Sequence, residues 1–357
     1  MKHYFSLASI LLLSLGLLTG CRKSPVEAAS APPSADGLLE LCLEGACLRE
    51  SRASAVTYAD ESALHRWTWW VFDEDGLPVQ CREGSALQAS VKLLSGRYTV
   101  VVLANYPTAG NWALPLLMTE RQDELLGRVA DLSCNSLSGL LMAGMETVEM
   151  VPDQTVKVTV RLRRLVSKVA VQKIAVAFED PILAARSTRL RALYLTNVCR
   201  RSCYGAGLMP EEWPSSPSCW YNPMGWHRDG TADAACDLLL GETELDLPLT
   251  PETPLTQTHS FYPFPNPTPP GQDRRTAEWS PRSTRLVLEV AVGELICYYP
   301  IRLPAMVRNH LYVAEEVVLK KLGSLDPEQE IPGAVEMRFS VRQDSGWDAD
   351  YSVEEIS

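Results

Sequence analysis

Residues 156–178 read VKVTVRLRRLVSKVAVQKIAVAF, and their pattern decides the fold class. Val156, Val158, Val160 and Leu162 alternate with Lys157, Thr159, Arg161 and Arg163. Side chains of a strand point to opposite faces in turn, so this half predicts a half-buried strand of an antiparallel sheet. Past Arg164 the alternation resumes on Val169, Val171, Ile174 and Val176 with its phase broken. A one-residue slip moves the apolar set to the other face, which is simplest if the chain leaves one sheet there and enters another. The region of Arg164 is therefore expected to be the hinge between two β domains.

The flanking sequence keeps the same style. Upstream, Leu38–Leu48 alternates Leu39, Leu41 and Leu43 against Glu40, Cys42 and Glu44, an amphipathic strand followed by Arg49 and Arg52. Leu64–Phe72 is aromatic and β-branched, and Asp73–Gly76 closes it as a turn. That turn lacks the further acidic ligands of a calcium loop. Val91–Leu94 and Arg97–Ala104 are expected to be strands joined by a tight turn. Thr119–Leu132 is the best helix candidate, with Thr119 as its cap. Leu140–Ala143 and Thr147–Val151 predict two short strands. Downstream, strands are expected over 190–198, 245–249, 259–264, 285–292, 295–301, 308–320 and 334–342. Many short strands between Pro- and Gly-rich turns predict two antiparallel β-sandwiches.

A chain of 357 residues suits two domains, and 46% hydrophobic with 22% charged residues is a globular composition. Lys2 is the only charged residue among the first twenty, so the remainder sets 32 basic against 44 acidic residues, formally −12. That balance disfavours nucleic acid and anionic membrane surfaces. Residues 1–20 have a short basic start, an apolar Phe5–Leu18 run too short for a typical span, and the ending Leu18-Thr19-Gly20-Cys21. This ending resembles a bacterial lipobox, which implies cleavage between Gly20 and Cys21, acylation of Cys21 and attachment to an envelope lipid surface. Residues 21–37 are small and proline-rich, a flexible tether. The expected division is then 38–164 for the first domain and 165–357 for the second.

Nine cysteines remain in an oxidising compartment. Cys199, Cys203, Cys219 and Cys236 crowd the long 199–236 insertion and are the expected disulfide formers, while Cys42 and Cys47 could pair locally and Cys297 reads as a buried thiol. No CxxC pair occurs and only His227 lies near, so a metal site is not expected. His65, His227, His259 and His310 are far apart in sequence, and HExxH, GxSxG and a phosphate loop are missing, so neither an enzyme nor a cofactor is expected. Trp213, Trp220 and Trp226 in the insertion suit either a local core or a sugar platform.

Several segments in order resemble the fimbrillin family of type V pilus subunits: WTWWVFDEDGLPV, LLSGRYTVVVLANYP, LLMAG, VTVRLRRLVSKVAV, FYPFPNP, the long run from YYPIRLPAMVRNHLYV, and RFSVRQDSGW. The resemblance implies two transthyretin-like β-sandwiches, export as a lipoprotein to the outer membrane, and cleavage by an arginine-specific surface protease. It also implies polymerisation with other fimbrial subunits by strand exchange. Leu38–Leu48, with Leu39, Leu41 and Leu43, is then the strand to be displaced, and Arg52 or Arg49 the cleavage point. The donor is expected after Leu322, either the Val335–Val341 run or the tail beyond Trp347. An uncut, lipid-bound anchor subunit and a glycan-binding surface lipoprotein are the alternatives.

Overall fold

The computed structural model describes residues 36–45, 47–48, 60–114, 120–213, 216–222, 234–270, 281–343 and 346–348. Up to Arg164 its elements are β1 (Gly37–Glu44), β2 (Cys47–Leu48), β3 (Ala63–Leu64), β4 (Trp67–Phe72), β5 (Pro78–Gly84), β6 (Gln88–Leu93), β7 (Gly96–Ala104), α1 (Gln122–Gly127), β8 (Val129–Asp131), β9 (Met142–Met150), β10 (Thr155–Arg161) and β11 (Arg163–Arg164). Beyond it come β12 (Lys168–Val171), β13 (Ile174–Val176), α2 (Pro181–Ala184), β14 (Thr188–Thr196), β15 (Val198–Cys199), β16 (Arg201–Cys203), β17 (Trp220–Tyr221) and α3 (Ala234–Leu240). The chain then continues through β18 (Gly241–Glu242), β19 (Leu247–Leu249), β20 (His259–Phe261), β21 (Arg285–Val292), β22 (Leu295–Arg302), β23 (Leu311–Leu319) and β24 (Val335–Arg342).

The fold is all-β. Before Arg164, sheet β10-β1-β6 and sheet β11-β9-β7-β4-β5 enclose a core that includes Leu39, Leu41, Val91 and Val160 from one and Trp67, Trp69, Val100 and Val102 from the other. After it, β13-β23-β12-β20 with β24 beside β23, and β18-β14-β21-β22 with β19 beside β14, enclose the second set of apolar side chains. Trp70, Phe72, Val101 and Leu103 belong to that second set. The aromatic strand β4 is thus buried on both faces, which is why Trp67–Phe72 reads as an unbroken apolar run. Among the described residues, one ladder alone crosses Arg164, pairing β8 with β16.

The phase break is real and sharper than expected. β10 lies in the first sheet, β11 pairs with β9 in the second, and β12 begins a third, so the chain changes sheet twice within ten residues. Arg164 itself is buried. Several expectations change. β10 is not in an antiparallel ladder; its partner is β1, and the two run parallel. β6 and β7 are joined by the expected tight turn and enter different sheets, β6 pairing with β1 while β7 pairs with β4 and β9. The two short strands expected around residues 140–151 are one strand, β9. The helix is short: α1 ends at Gly127, and Val129–Asp131 is recruited into the ladder with β16, tertiary pairing overriding local helix preference. Its N-cap is Arg121, with Glu124 accepting from the Arg121 backbone N–H; Thr119 lies outside the described residues.

Candidate functional site

Strand β1 begins and ends at glycines that the packing requires. A Cβ on Gly37 would sit 2.6 Å from the Val151 carbonyl oxygen, and Gly45 has φ +86° with the Leu162 carbonyl 2.8 Å from such an atom. Between them Leu39 and Leu41 are fully buried, Leu43 is half-buried, and Leu38, Glu40 and Cys42 are half-buried on the other face. Leu39 lies opposite Val156 on β10 and Val91 on β6; Leu41 lies opposite Val158 and Ala89. The exposed ends of Lys157 and Glu40 meet across the parallel pair at 3.4 Å.

This placement gives β1 a distinct chemistry among the strands. It is the central strand of its sheet, hydrogen-bonded along both edges, yet it is the first strand described in the chain. Taking it away would open two rows of backbone N–H and C=O groups, on β6 and β10, around a slot floored by apolar side chains. An extended segment presenting alternate apolar side chains is the group that satisfies such a slot. Arg49 and Arg52, which follow β1, lie outside the described residues, as do Gly20, Cys21 and the tether up to Ala35. The next described residue is Asp60, and Leu64 returns to the core that holds Leu39.

The other end of the chain is fastened differently. β24 pairs with β23 alone, and its Val335, Met337, Phe339 and Val341 are all only half-buried against the core. Beyond it, Trp347 is buried and sits in a polar clasp. Its Nε1–H donates to Glu61 at 2.7 Å, and the Arg164 guanidinium lies over its ring, 4.4 Å from the centroid. The Glu61 carboxylate also meets Lys168 Nζ at 2.5 Å and accepts from Tyr262 at 2.7 Å. Burial alone would raise the pKa of Glu61, but the Lys168 ammonium and the indole and phenol donors hold it below the usual carboxylate range. Arg164 donates from Nε to the Glu61 backbone carbonyl and from Nη1 to Asn309 and to the Gly346 carbonyl. Asn309, at φ +57°, donates to the Gly346 carbonyl and to Asp348, whose carboxylate also pairs with Arg161 and Arg163. The residue at the phase break is therefore the centre of a clasp joining the segment around Glu61, the turn at Arg164 and the C-terminal region. The contacts that build it join residues 37 to 286 apart in sequence, so no local pattern announces it.

The cysteine-rich stretch is not the loop it resembles. β15 pairs with β17 and β16 with β8, so Cys199 and Cys203 sit in strands. Cys199, Cys203 and Cys219 are buried free thiols in this structure, Cys236 is buried too, and burial pushes the Cys199 thiol up to about 12. Cys297 is a buried thiol, as its strand pattern implies. Trp220 is buried and Trp213 half-buried, their ring centroids 6.1 Å apart, so both serve the core rather than a sugar platform. Trp226 and His227 lie outside the described residues. His259 pairs with Glu242 and His310 bonds the Arg308 carbonyl, and among the described residues no three His, Cys, Asp or Glu side chains are placed to hold a metal ion. No described helix is long and apolar enough to cross a membrane.

The whole arrangement has counterparts among solved structures. A protein from Bacteroides eggerthii assigned to cell adhesion matches with a TM-score of 0.61 at 17% identity, over 87% of this chain and 97% of that one. A fimbrilin from Porphyromonas gingivalis matches at 0.57 and 13% identity, over 86% and 97%. A second protein assigned to cell adhesion, from Parabacteroides distasonis, matches at 0.55 and 16%, over 87% and 99%. No family model matches the chain, and no curated protein matches it in sequence. At these identities the likeness establishes the fold, which is the fold expected from the fimbrillin resemblance.

Proposed function

We propose that this chain is a structural subunit of a surface fimbrium with a role in adhesion, built of two domains over 38–164 and 165–357. In this reading it is exported as a lipoprotein acylated on Cys21 and held at the outer membrane. It is then trimmed by an arginine-specific surface protease after Arg52, or after Arg49, and joined to other fimbrial subunits by strand exchange. The observation that carries the reading is β1: a central, doubly paired strand at the N-terminal side of the fold, with Arg49 and Arg52 five and eight residues after its last residue, Glu44. The fimbrilin and adhesion proteins of similar fold support it.

The energetics favour cleavage as the trigger. Full burial of Leu39 and Leu41 stabilises by about 3–6 kcal/mol before ordering costs. A covalently tied strand of that strength is displaced slowly, because any donor competes against an intramolecular neighbour. Once cut, β1 is a separate peptide and a donor strand can take its place. The donor is a C-terminal segment after Leu322 of a neighbouring subunit.

The test is the double substitution Arg49→Ala with Arg52→Ala. The expected product is a folded, lipidated monomer that enters no filament and keeps its N-terminus. Normal assembly with an intact N-terminus in shed filaments would overturn the trimming step and leave an uncut anchor.

A further inference from the structure

A cavity of about 480 Å³ opens beside β9, lined in part by Leu126, Met145 and Leu208 and by Arg161, Arg163 and Arg308. Arg308 is the unusual member. It is 9% exposed, and its guanidinium donates to the Tyr204 carbonyl at 2.8 Å, the Cys203 carbonyl at 2.6 Å and Ser202 Oγ at 3.2 Å. All three acceptors are neutral, and no described carboxylate lies within ion-pair distance of it. A guanidinium carries five N–H donors, so two remain beyond those three bonds. Burial lowers its pKa to about 10, which leaves it charged at neutral pH. A buried charge without a counter-charge is unfavourable, and a bound anion would remove that penalty.

The rest of the lining defines which anion. Arg161 and Arg163 share Asp348, at 3.0 and 3.4 Å, and the lining's own acid, Glu146, is exposed. Three arginines against two carboxylates leave one positive charge. A monoanion matches that balance better than a phosphate dianion does. The apolar walls call for an apolar body behind the charged head, and the volume lies in the range of small-molecule sites.

We propose that this cavity binds a small carboxylate carried on an apolar body, its head paired with Arg308 and its body against Leu126, Met145 and Leu208. The inference does not depend on the fimbrial reading, since it concerns the folded chain whether or not it polymerises.

Titration of the full chain with hexanoate, using hexanamide as the uncharged control, tests it by calorimetry. Hexanoate should bind at least about tenfold more tightly than hexanamide, the worth of one charge-assisted pair. Arg308→Met should abolish that preference. Should Arg308→Met fail to fold, Leu208→Trp decides instead: Leu208 is largely exposed, so the variant tolerates the change while its indole fills the cavity, and hexanoate binding should be lost. Equal binding of the amide, undiminished binding by Leu208→Trp, or no hexanoate binding overturns the proposal. So does binding that appears only after truncation beyond Asp348, which would mean that the segment 349–357, with its three acids, competes for the cavity.

Discussion

β1 and β24 read almost alike in sequence, yet the fold treats them as opposites. Both are eight residues long, β24 alternating apolar and polar residues throughout and β1 alternating from Leu39 to Glu44. In β1 the alternation ends in complete burial of Leu39 and Leu41 between two partner strands, whereas in β24 every apolar side chain is half-exposed and one partner suffices. Alternation therefore reports that a strand has an apolar face. It does not report whether the strand is central or at an edge, since that depends on partners far away in the chain. For the proposed strand exchange the difference matters: losing a central strand would open a slot, while losing an edge strand would expose a single row.

Paired alanine substitutions separate the two strands most widely. Leu39→Ala with Leu41→Ala should lower the unfolding free energy by about 4–8 kcal/mol, as for two fully buried leucines. Met337→Ala with Phe339→Ala on β24 should lower it by about 1–3 kcal/mol, because half-exposed sites lose less apolar burial and can relax. Urea unfolding of both variants decides the matter. Equal losses would mean that β24 is as firmly built in as β1.

How much of this was readable in advance follows from the same contrast. The phase break at Arg164 and the leucine face of β1 were legible because local alternation encodes them. The single strand β9 was missed because Gly144 and Glu146 interrupt its apolar pattern at half-exposed and exposed positions. The partners of β6 and β7 were unreadable for a related reason: the tight turn at Gly96 fixes the path of the chain but not which sheet each arm joins. The parallel pairing of β1 with β10 and the buried state of Cys199 and Cys219 depend on contacts that no local pattern carries. The clasp left a faint trace, an isolated Trp347 after Gly346, but its acceptor Glu61 stands in an unremarkable polar stretch.

That clasp breaks the simple ranking of the two chain ends. The C-terminal region is held weakly along β24 and firmly at Trp347. Trp347→Ala should therefore destabilise by about 3–5 kcal/mol, through lost burial, a lost ring under Arg164 and an unpaired share of Glu61. Denaturant midpoints measure it against the Met337/Phe339 pair. A smaller loss for Trp347 than for that pair would place the anchor in the strand after all.

The smallest expected effect is a dependence on pH, and it isolates the clasp from the strands around it. Glu61 titrates below the usual carboxylate range in the folded chain because Lys168, Trp347 and Tyr262 surround its charged form. The unfolded chain lacks these partners and binds the proton first as the pH falls. The stability from this group is thus fully present above the unfolded carboxylate value of about 4.3, and it drains away as the pH drops through the lower folded value. Glu61→Gln cannot titrate, keeps an oxygen to accept from the Trp347 indole, and forfeits the ion pair with Lys168 at every pH. Between pH 6 and pH 3 the parent should therefore lose more stability than Glu61→Gln, so that the two urea midpoints converge toward the acid side. The Leu39/Leu41 variant, altered in an apolar core without an ionisable group, should follow the slope of the parent. Parallel curves for parent and Glu61→Gln would show that the carboxylate is not held by the clasp, and the firm anchoring of the C-terminal region would then rest on the burial of Trp347 alone.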